Sequence, residues 1–192
     1  MNEKTRRVIV IGFLLLMVVG LSFGAVLSGF GDPSTKVKYN GITFNADPVN
    51  NIWTAKINGK TAAFSFLPQD VQTIAVEGSP FKITERKPEI DFTYEVNGTD
   101  KEYIALAQHQ MSLTLEQYGV FVRKGFTTNN SYGFPIIDCA SSSASVPVVY
   151  FMRSNISRIK VQDNCIIAEA QDSIDIIKAK DRLVYGILGV IE

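Results

Sequence analysis

The residues best suited to chemistry in this chain are its two cysteines, Cys139 and Cys165. A redox-active pair normally has Cys-x-x-Cys spacing, so that one thiolate resolves the mixed disulfide of the other. Here 25 residues separate the two cysteines. Both lie near the ends of predicted strands, and disulfides persist outside the cytoplasm. We expect a structural disulfide, with two buried free thiols or a redox or metal role as the alternatives.

The single histidine, His109, completes no catalytic or metal-binding set. It lies two positions from Ala107 and from Met111, so it points away from the apolar face of its predicted helix. A zinc site needs three or four ligands, and a catalytic triad would have to use this histidine. No nucleophile elbow, phosphate-binding loop or dinucleotide fingerprint is present. The sequence therefore predicts no catalytic residue, no metal site and no cofactor.

A long apolar segment near the N-terminus sets the expected location of the chain. Residues 8–30 are 23 residues without a charge, and they follow the basic stretch "EKTRR". A bilayer-spanning helix needs about 20 apolar residues, whereas the apolar region of a cleaved signal peptide has only about 7–15. The basic flank favours a cytoplasmic N-terminus. We predict a single-pass protein of the cell membrane, with a cleaved signal peptide as the alternative.

This topology divides the chain into four parts. Residues 1–7 form a cytoplasmic basic tail, residues 8–30 a transmembrane signal anchor in the lipid bilayer, residues 31–36 a linker, and residues 37–192 an extracytoplasmic α+β domain.

Small residues recur along the predicted anchor at Gly20, Gly24 and Ser28. This spacing lets two membrane helices approach closely and predicts a face for a helix dimer. The alternative is that glycine is simply common in membrane helices.

The outer part begins with strand patterns. Asn40-Gly41 and Asn58-Gly59 each stand between strand-like runs, and Asn-Gly favours the tight turn of a β-hairpin. Residues 89–96 alternate apolar and polar side chains, which predicts a strand with one buried face and one wet face. The apolar run at residues 146–152 predicts a strand buried on both faces, and "RIKV" and "CIIAEA" predict two more.

Two segments have helical periodicity. The first runs from a capping-box pattern at Thr99 and Glu102 to Gly119, with Ile104, Ala107, Met111, Leu115 and Tyr118 on its apolar face. The second follows an expected N-cap at Asp172, and its inner face is expected to have Lys180 at one edge.

We therefore predict an α+β fold, in which a transmembrane helix precedes one mixed α/β domain with one β-sheet and two main helices. The proline-led strand and the strands and helix after it resemble the second half of the thioredoxin fold. The active-site half of that fold has no counterpart in this sequence.

Three Asn-x-Ser/Thr sequons for N-glycosylation, at Asn97, Asn129 and Asn155, fall in predicted turns or loops. They favour an outer-surface location in an organism that glycosylates its proteins.

The last third of the chain contains a set of short motifs in a fixed order: Cys139, Pro147-Val-Val, Ser154-Asn-Ile-Ser, Asn164-Cys-Ile and Asp181-Arg-Leu-Val-Tyr-Gly-Ile-Leu-Gly189. Over residues 135–190 this set resembles the C-terminal end of small, uncharacterised archaeal single-pass membrane-anchored proteins. The resemblance implies an archaeal surface setting and a paired-cysteine unit, and it implies no reaction.

The charge distribution excludes one class of partner. The 19 basic residues balance the 19 acidic ones and form no cluster, so we expect no nucleic acid. The expected function is a membrane-anchored extracytoplasmic binding or scaffolding domain, with a protein partner or a homodimer. The alternatives are a thioredoxin-like or other envelope enzyme whose site the sequence does not reveal, and a small-ligand-binding subunit of an envelope complex.

Overall fold

Two Asn-Gly turns fold the first part of the outer domain into hairpins, as predicted. The computed structural model describes residues 35–191. Both turns have the positive φ angles that a two-residue hairpin requires, with Asn40 at 46° and Gly41 at 78° in the first. The hairpins form a small antiparallel sheet in chain order from β1 (Lys36–Tyr39), β2 (Ile42–Asp47), β3 (Ile52–Ile57) and β4 (Lys60–Phe64).

A second, larger sheet has the order β5-β9-β10-β8-β6-β7. Its strands are β5 (Ala75–Glu77), β6 (Glu89–Thr93), β7 (Phe121–Lys124), β8 (Val148–Arg153), β9 (Arg158–Gln162) and β10 (Cys165–Ala170). The four neighbours β10, β8, β6 and β7 are parallel, and β9 is antiparallel to β10. The carboxyl ends of β8, β6 and β7 therefore lie along one edge of the sheet.

Residues 35–191 contain four α-helices, of which the first three connect strands and the last follows β10: α1 (Pro68–Val71), α2 (Pro80–Thr84), α3 (Lys101–Gln117) and α4 (Ser173–Ile187). Of the two N-terminal caps predicted for the long helices, one is confirmed and one is wrong. Asp172 caps α4 as expected, with its carboxylate accepting from the Asp175 N–H at 2.8 Å. The capping box at Thr99 is wrong, because α3 begins after Asp100, whose φ of 60° is left-handed.

The two long helices lie between the two sheets. On the side of the large sheet, α4 packs on β10 and α3 on β7. On the other side, Tyr185 of α4 stacks on Phe64 of β4 with 4.1 Å between ring centroids, and α3 contacts β4. One hydrophobic core joins all three layers.

The position of α4 between the sheets buries more of this helix than its predicted inner face. Residues 179–186 are all buried, including the charged residues Lys180, Asp181 and Arg182. A helix with protein on every side has no polar face to offer to water. For α3 the predicted apolar face is confirmed, because Ile104, Ala107, Met111 and Leu115 are buried.

The predicted fold class was wrong as stated. The fold is α+β, but its described part has two sheets and four α-helices in place of one sheet and two main helices. The thioredoxin analogy also fails, because β10 lies between the strand led by Pro147 and β9. Local periodicity identifies strands, but it does not say which strands share a sheet.

The predicted transmembrane helix, residues 8–30, and its Gly20, Gly24 and Ser28 face lie outside the described residues. Within residues 35–191, none of the helices combines the length and the apolar character needed to cross a bilayer.

Candidate functional site

The structure brings the two cysteines together, at disulfide distance. Their sulfur atoms are 2.04 Å apart and their Cα atoms 5.2 Å apart. Cys165 is the first residue of β10 and is fully buried, and Cys139 begins a short 3-10 turn. The predicted pairing is confirmed to this extent.

The cysteine pair belongs to a small satellite core on the outer face of the large sheet, the face away from the helices. Here the segment after β7 crosses the sheet, and its Ile137 packs with Val148 and Ile167. The Thr93 hydroxyl donates to the Ile137 carbonyl oxygen at 2.6 Å, which fixes the crossing segment to β6. Apolar surroundings of this kind are typical of a structural disulfide.

His109 lies on the exposed side of α3, as predicted. Across residues 35–191, no group of three or more His, Cys, Asp or Glu side chains could hold a metal ion. Neither the histidine nor the cysteines therefore offer a reactive constellation in this part of the chain.

A buried polar cluster joins α4 to the end of β4. The Asp181 carboxylate is fully buried and accepts from the backbone N–H groups of Ser65 and Phe66, each at 2.9 Å. It also accepts from the ammonium of Lys180, the preceding residue. Burial raises the pKa of the Asp181 carboxyl, and Lys180 and the two N–H groups oppose that rise. Lys178, one turn earlier, pairs instead with Asp175 at 3.6 Å.

Tyr185 ties the same segment of chain to α4 one turn further on. Its hydroxyl donates to the Phe66 carbonyl oxygen at 2.7 Å. Burial and the nearby charge of Asp181 raise the pKa of this hydroxyl, so it remains a donor at neutral pH. In the turn after β4, Asp181 therefore accepts from backbone N–H groups and Tyr185 donates to a backbone carbonyl oxygen, so both kinds of backbone group are satisfied.

Next to this cluster, a cleft of about 360 Å³ opens between α3 and β4. β4 is an edge strand of the small sheet. Apolar and polar side chains both line the cleft, and the buried Lys180 is among them. The lining residues are Ile52, Thr61, Ala63, Phe64, Ser65, Gln110, Leu113, Thr114, Gln117 and Lys180. A concave, partly apolar cleft with a few convergent polar groups is typical of ligand sites, although its volume is at the low end of the range.

Two polar groups of the cleft have unused hydrogen-bonding capacity. The Gln110 side-chain oxygen is buried, with no partner among the described residues. The Lys180 ammonium has three N–H donors, and the one acceptor found for it within residues 35–191 is Asp181. The residues that line the cleft thus include one with an unpartnered buried acceptor and a cation that is only partly coordinated.

The outer face of the large sheet carries a second set of charges, at its β9 side. The buried Glu169 carboxylate accepts from Arg158 Nε at 2.5 Å and from Lys160 Nζ at 2.6 Å. Burial raises the pKa of Glu169, but the two cations outweigh that effect and hold it below its usual value. Arg158 also pairs with Glu77 at 3.1 Å, so two cations face two carboxylates, as is typical of a structural ion-pair network.

Sequence analysis missed the two central residues of the cleft. Lys180 was expected at the edge of an inner face, although its apolar neighbours Ile176, Leu183 and Val184 were a signal that it is buried. Gln110 gave no signal, because a glutamine on a helix is ordinary in a surface position.

Comparison of the chain with protein families, with curated proteins and with solved structures finds no match. The resemblance to archaeal membrane-anchored proteins stays a prediction.

Proposed function

We propose that this chain is a membrane-anchored extracytoplasmic domain that binds a small neutral ligand carrying an amide group. The binding site is the cleft between α3 and β4. The observation that carries this proposal is the unpartnered, buried oxygen of Gln110 in the cleft wall. An acceptor left unsatisfied in a native structure costs about 1–3 kcal/mol, and an N–H group of a ligand would recover that cost.

The location rests on two observations. Residues 8–30 have the length and character of a signal anchor. The two cysteines lie at disulfide distance, and a stable disulfide belongs in an oxidising compartment.

The charge of the cleft favours a neutral ligand. Lys180 lines the cleft, but the charge of its ammonium is matched by that of Asp181. A ligand with a full charge would lose its hydration without gaining an unmatched counter-charge. A neutral amide loses less hydration free energy than a charged group. It also offers an N–H to Gln110 and a carbonyl oxygen to Lys180.

The walls favour an apolar body next to the amide. Phe64, Leu113 and Ile52 line the cleft beside the polar groups. Apolar surface contributes about 25 cal/mol per Å² buried, which supplies affinity while the amide fixes the orientation.

The test is a binding experiment on the full chain in nanodiscs. The probes are N-acetyl amino-acid methylamides with apolar side chains, each compared with its methyl ester, in which oxygen replaces the methylamide N–H. We expect at least one amide to bind, and its ester to bind about tenfold more weakly for the loss of a hydrogen bond worth ~1.4 kcal/mol.

Two variants locate the binding. Gln110→Leu should weaken amide binding about tenfold. The matched control Gln162→Leu changes an exposed glutamine at the end of β9 and should leave binding unchanged. The proposal fails if no amide binds, or if Gln110→Leu binds as well as the unchanged chain.

A protein partner, or a homodimer through Gly20, Gly24 and Ser28, stays a prediction that the described residues do not test.

A further inference from the structure

The three sequons follow three different strands of the large sheet. Asn97 lies in the turn after β6, Asn129 in the loop after β7, and Asn155 in the bend after β8. In the sequence they are scattered over about a third of the chain, with no sign that they belong together.

The topology places all three asparagines along one edge of the molecule. Strands β8, β6 and β7 are consecutive neighbours and run parallel, so their carboxyl ends meet at the same edge. All three asparagines are exposed there. We call this row of loops the sequon edge.

The sequon edge also lies away from the cleft. Helix α3 begins at this edge with Lys101 and runs toward the opposite one. The residues of α3 that line the cleft, Gln110 to Gln117, belong to the later half of the helix. Bulky groups on the sequon edge would therefore leave the cleft open to ligand.

The three acceptor motifs differ in the exposure and the hydrogen bonds of their third residue. Thr99 and Ser131, which follow Asn97 and Asn129, are exposed. Ser157, which follows Asn155, is only half-buried, but its hydroxyl donates to the Asp175 carboxylate and accepts from the Gln171 N–H at 3.0 Å. This hydroxyl is part of the acceptor motif, and here it is held in contacts within the fold.

We infer that the sequon edge is a site of N-linked glycosylation, modified at Asn97 and Asn129 and not at Asn155. This inference rests on the proposed extracytoplasmic location. The donor is a lipid-linked sugar phosphate used by a membrane oligosaccharyltransferase. The Asn Nδ2 bonds to the anomeric carbon, the bond from that carbon to the donor's phosphate oxygen breaks, the amide loses one proton, and the lipid phosphate leaves.

The experiment is mass spectrometry of peptides from the full chain, purified from its native membranes. We expect glycan mass on the peptides containing Asn97 and Asn129, and the unmodified mass on the peptide containing Asn155. Unmodified Asn97 and Asn129 overturn the inference, and an Asn155 modified as fully as Asn129 overturns the assigned pattern.

A variant tests the reason given for Asn155. Asp175→Ala removes the acceptor that holds the Ser157 hydroxyl, and we expect Asn155 to become modified. The matched control Glu116→Ala, at the exposed far end of α3, should leave Asn155 unmodified. If Asp175→Ala also leaves it unmodified, the contacts of Ser157 are not the reason.

Protease treatment of intact cells from the same culture separates this inference from the proposed function. Digestion of the outer domain, together with unmodified sequons, overturns the glycan inference and leaves the location standing. Protection of the domain, together with unmodified sequons, overturns both.

Discussion

Helices α3 and α4 lie side by side between the two sheets, yet their surroundings differ. In α4, residues 179–186 are buried without interruption. In α3 one side is open, and Tyr103, Leu106 and Leu113 are 47%, 45% and 51% exposed. The cleft lies where the open helix meets the buried one.

The buried polar groups of the two helices also differ, because Asp181 of α4 is hydrogen-bonded within the fold, whereas one acceptor of α3 has no partner among residues 35–191. In α4, Asp181 is satisfied by Lys180 and by the backbone of Ser65 and Phe66. In α3, the oxygen of Gln110 is buried without a partner in the described part of the chain. A satisfied buried group specifies the fold, whereas an unsatisfied one next to a cleft is available to a ligand.

The largest expected effect comes from the satisfied cluster in α4. Asp181→Ala leaves Lys180 and two backbone N–H groups buried without their acceptor. Breaking a buried ion pair from one side costs about 3–5 kcal/mol. We expect the free energy of unfolding of the full chain in detergent to fall by that amount, measured by denaturant titration.

The control for Asp181→Ala is Glu116→Ala, which removes an exposed carboxylate from α3. We expect a change of about 0.5 kcal/mol or less. Equal stability of the two variants would contradict the contrast between the helices.

The next effect tests the close packing of α4. A Cβ atom added at Gly186 would lie 2.1 Å from Phe81 Cε1, so Gly186→Ala must displace the Phe81 ring. Overpacking of this kind costs about 1–3 kcal/mol, although alanine is the better helix former. Thermal unfolding should show a lower midpoint for Gly186→Ala than for Leu106→Ala on the open side of α3. The reverse order would mean that α4 is less confined than the structure indicates.

A smaller effect is expected at Tyr185. Tyr185→Phe keeps the ring that stacks on Phe64 and removes the hydroxyl that donates to the Phe66 carbonyl oxygen. The loss of one such hydrogen bond costs about 1 kcal/mol. Denaturant titration would show this loss, and unchanged stability would indicate that water replaces the hydroxyl.

The smallest effect has the opposite sign. Gln110→Leu removes a buried acceptor without a partner, so we expect the unfolding free energy to rise by up to about 1 kcal/mol. The same substitution should weaken amide binding. Thermal unfolding and binding, measured on one preparation, test both effects. A destabilised Gln110→Leu chain would mean that Gln110 serves the fold.

Local chemistry made part of the fold predictable from the sequence. Asn40-Gly41 and Asn58-Gly59 fix hairpins through their own backbone preferences, and the apolar spacing of α3 identifies its buried face. These features depend on residues close together in the chain.

The arrangement of three layers was not predictable in the same way. Periodicity shows that a side chain is buried on one face, but it does not show that a second sheet covers the opposite face. Lys180 was therefore expected only at the edge of the inner face of α4, and the burial of Asp181 and Arg182 beside it was not predicted. The strand at Asp91 and Thr93 was predicted to have one solvent-exposed face, although both residues are buried. Thr93 is covered by the segment after β7, which is distant in the sequence.

The binding cleft was still harder to predict, because it forms between segments distant in the sequence. Gln110 on α3, Thr61 on β4 and Lys180 on α4 meet only in the folded chain. The cysteines were easier, since only two were present and their spacing excluded a redox motif.

A stable disulfide and the inferred glycosylation of the sequon edge both require residues 37–192 to lie outside the cytoplasm. The most direct test is alkylation of the thiols of the full chain in intact cells and isolated membranes, with and without a reductant. We predict that Cys139 and Cys165 are unlabelled until a reductant is added, and that a protease added to intact cells digests the domain. Two thiols that are labelled without a reductant, in a domain protected from the protease, would contradict the account.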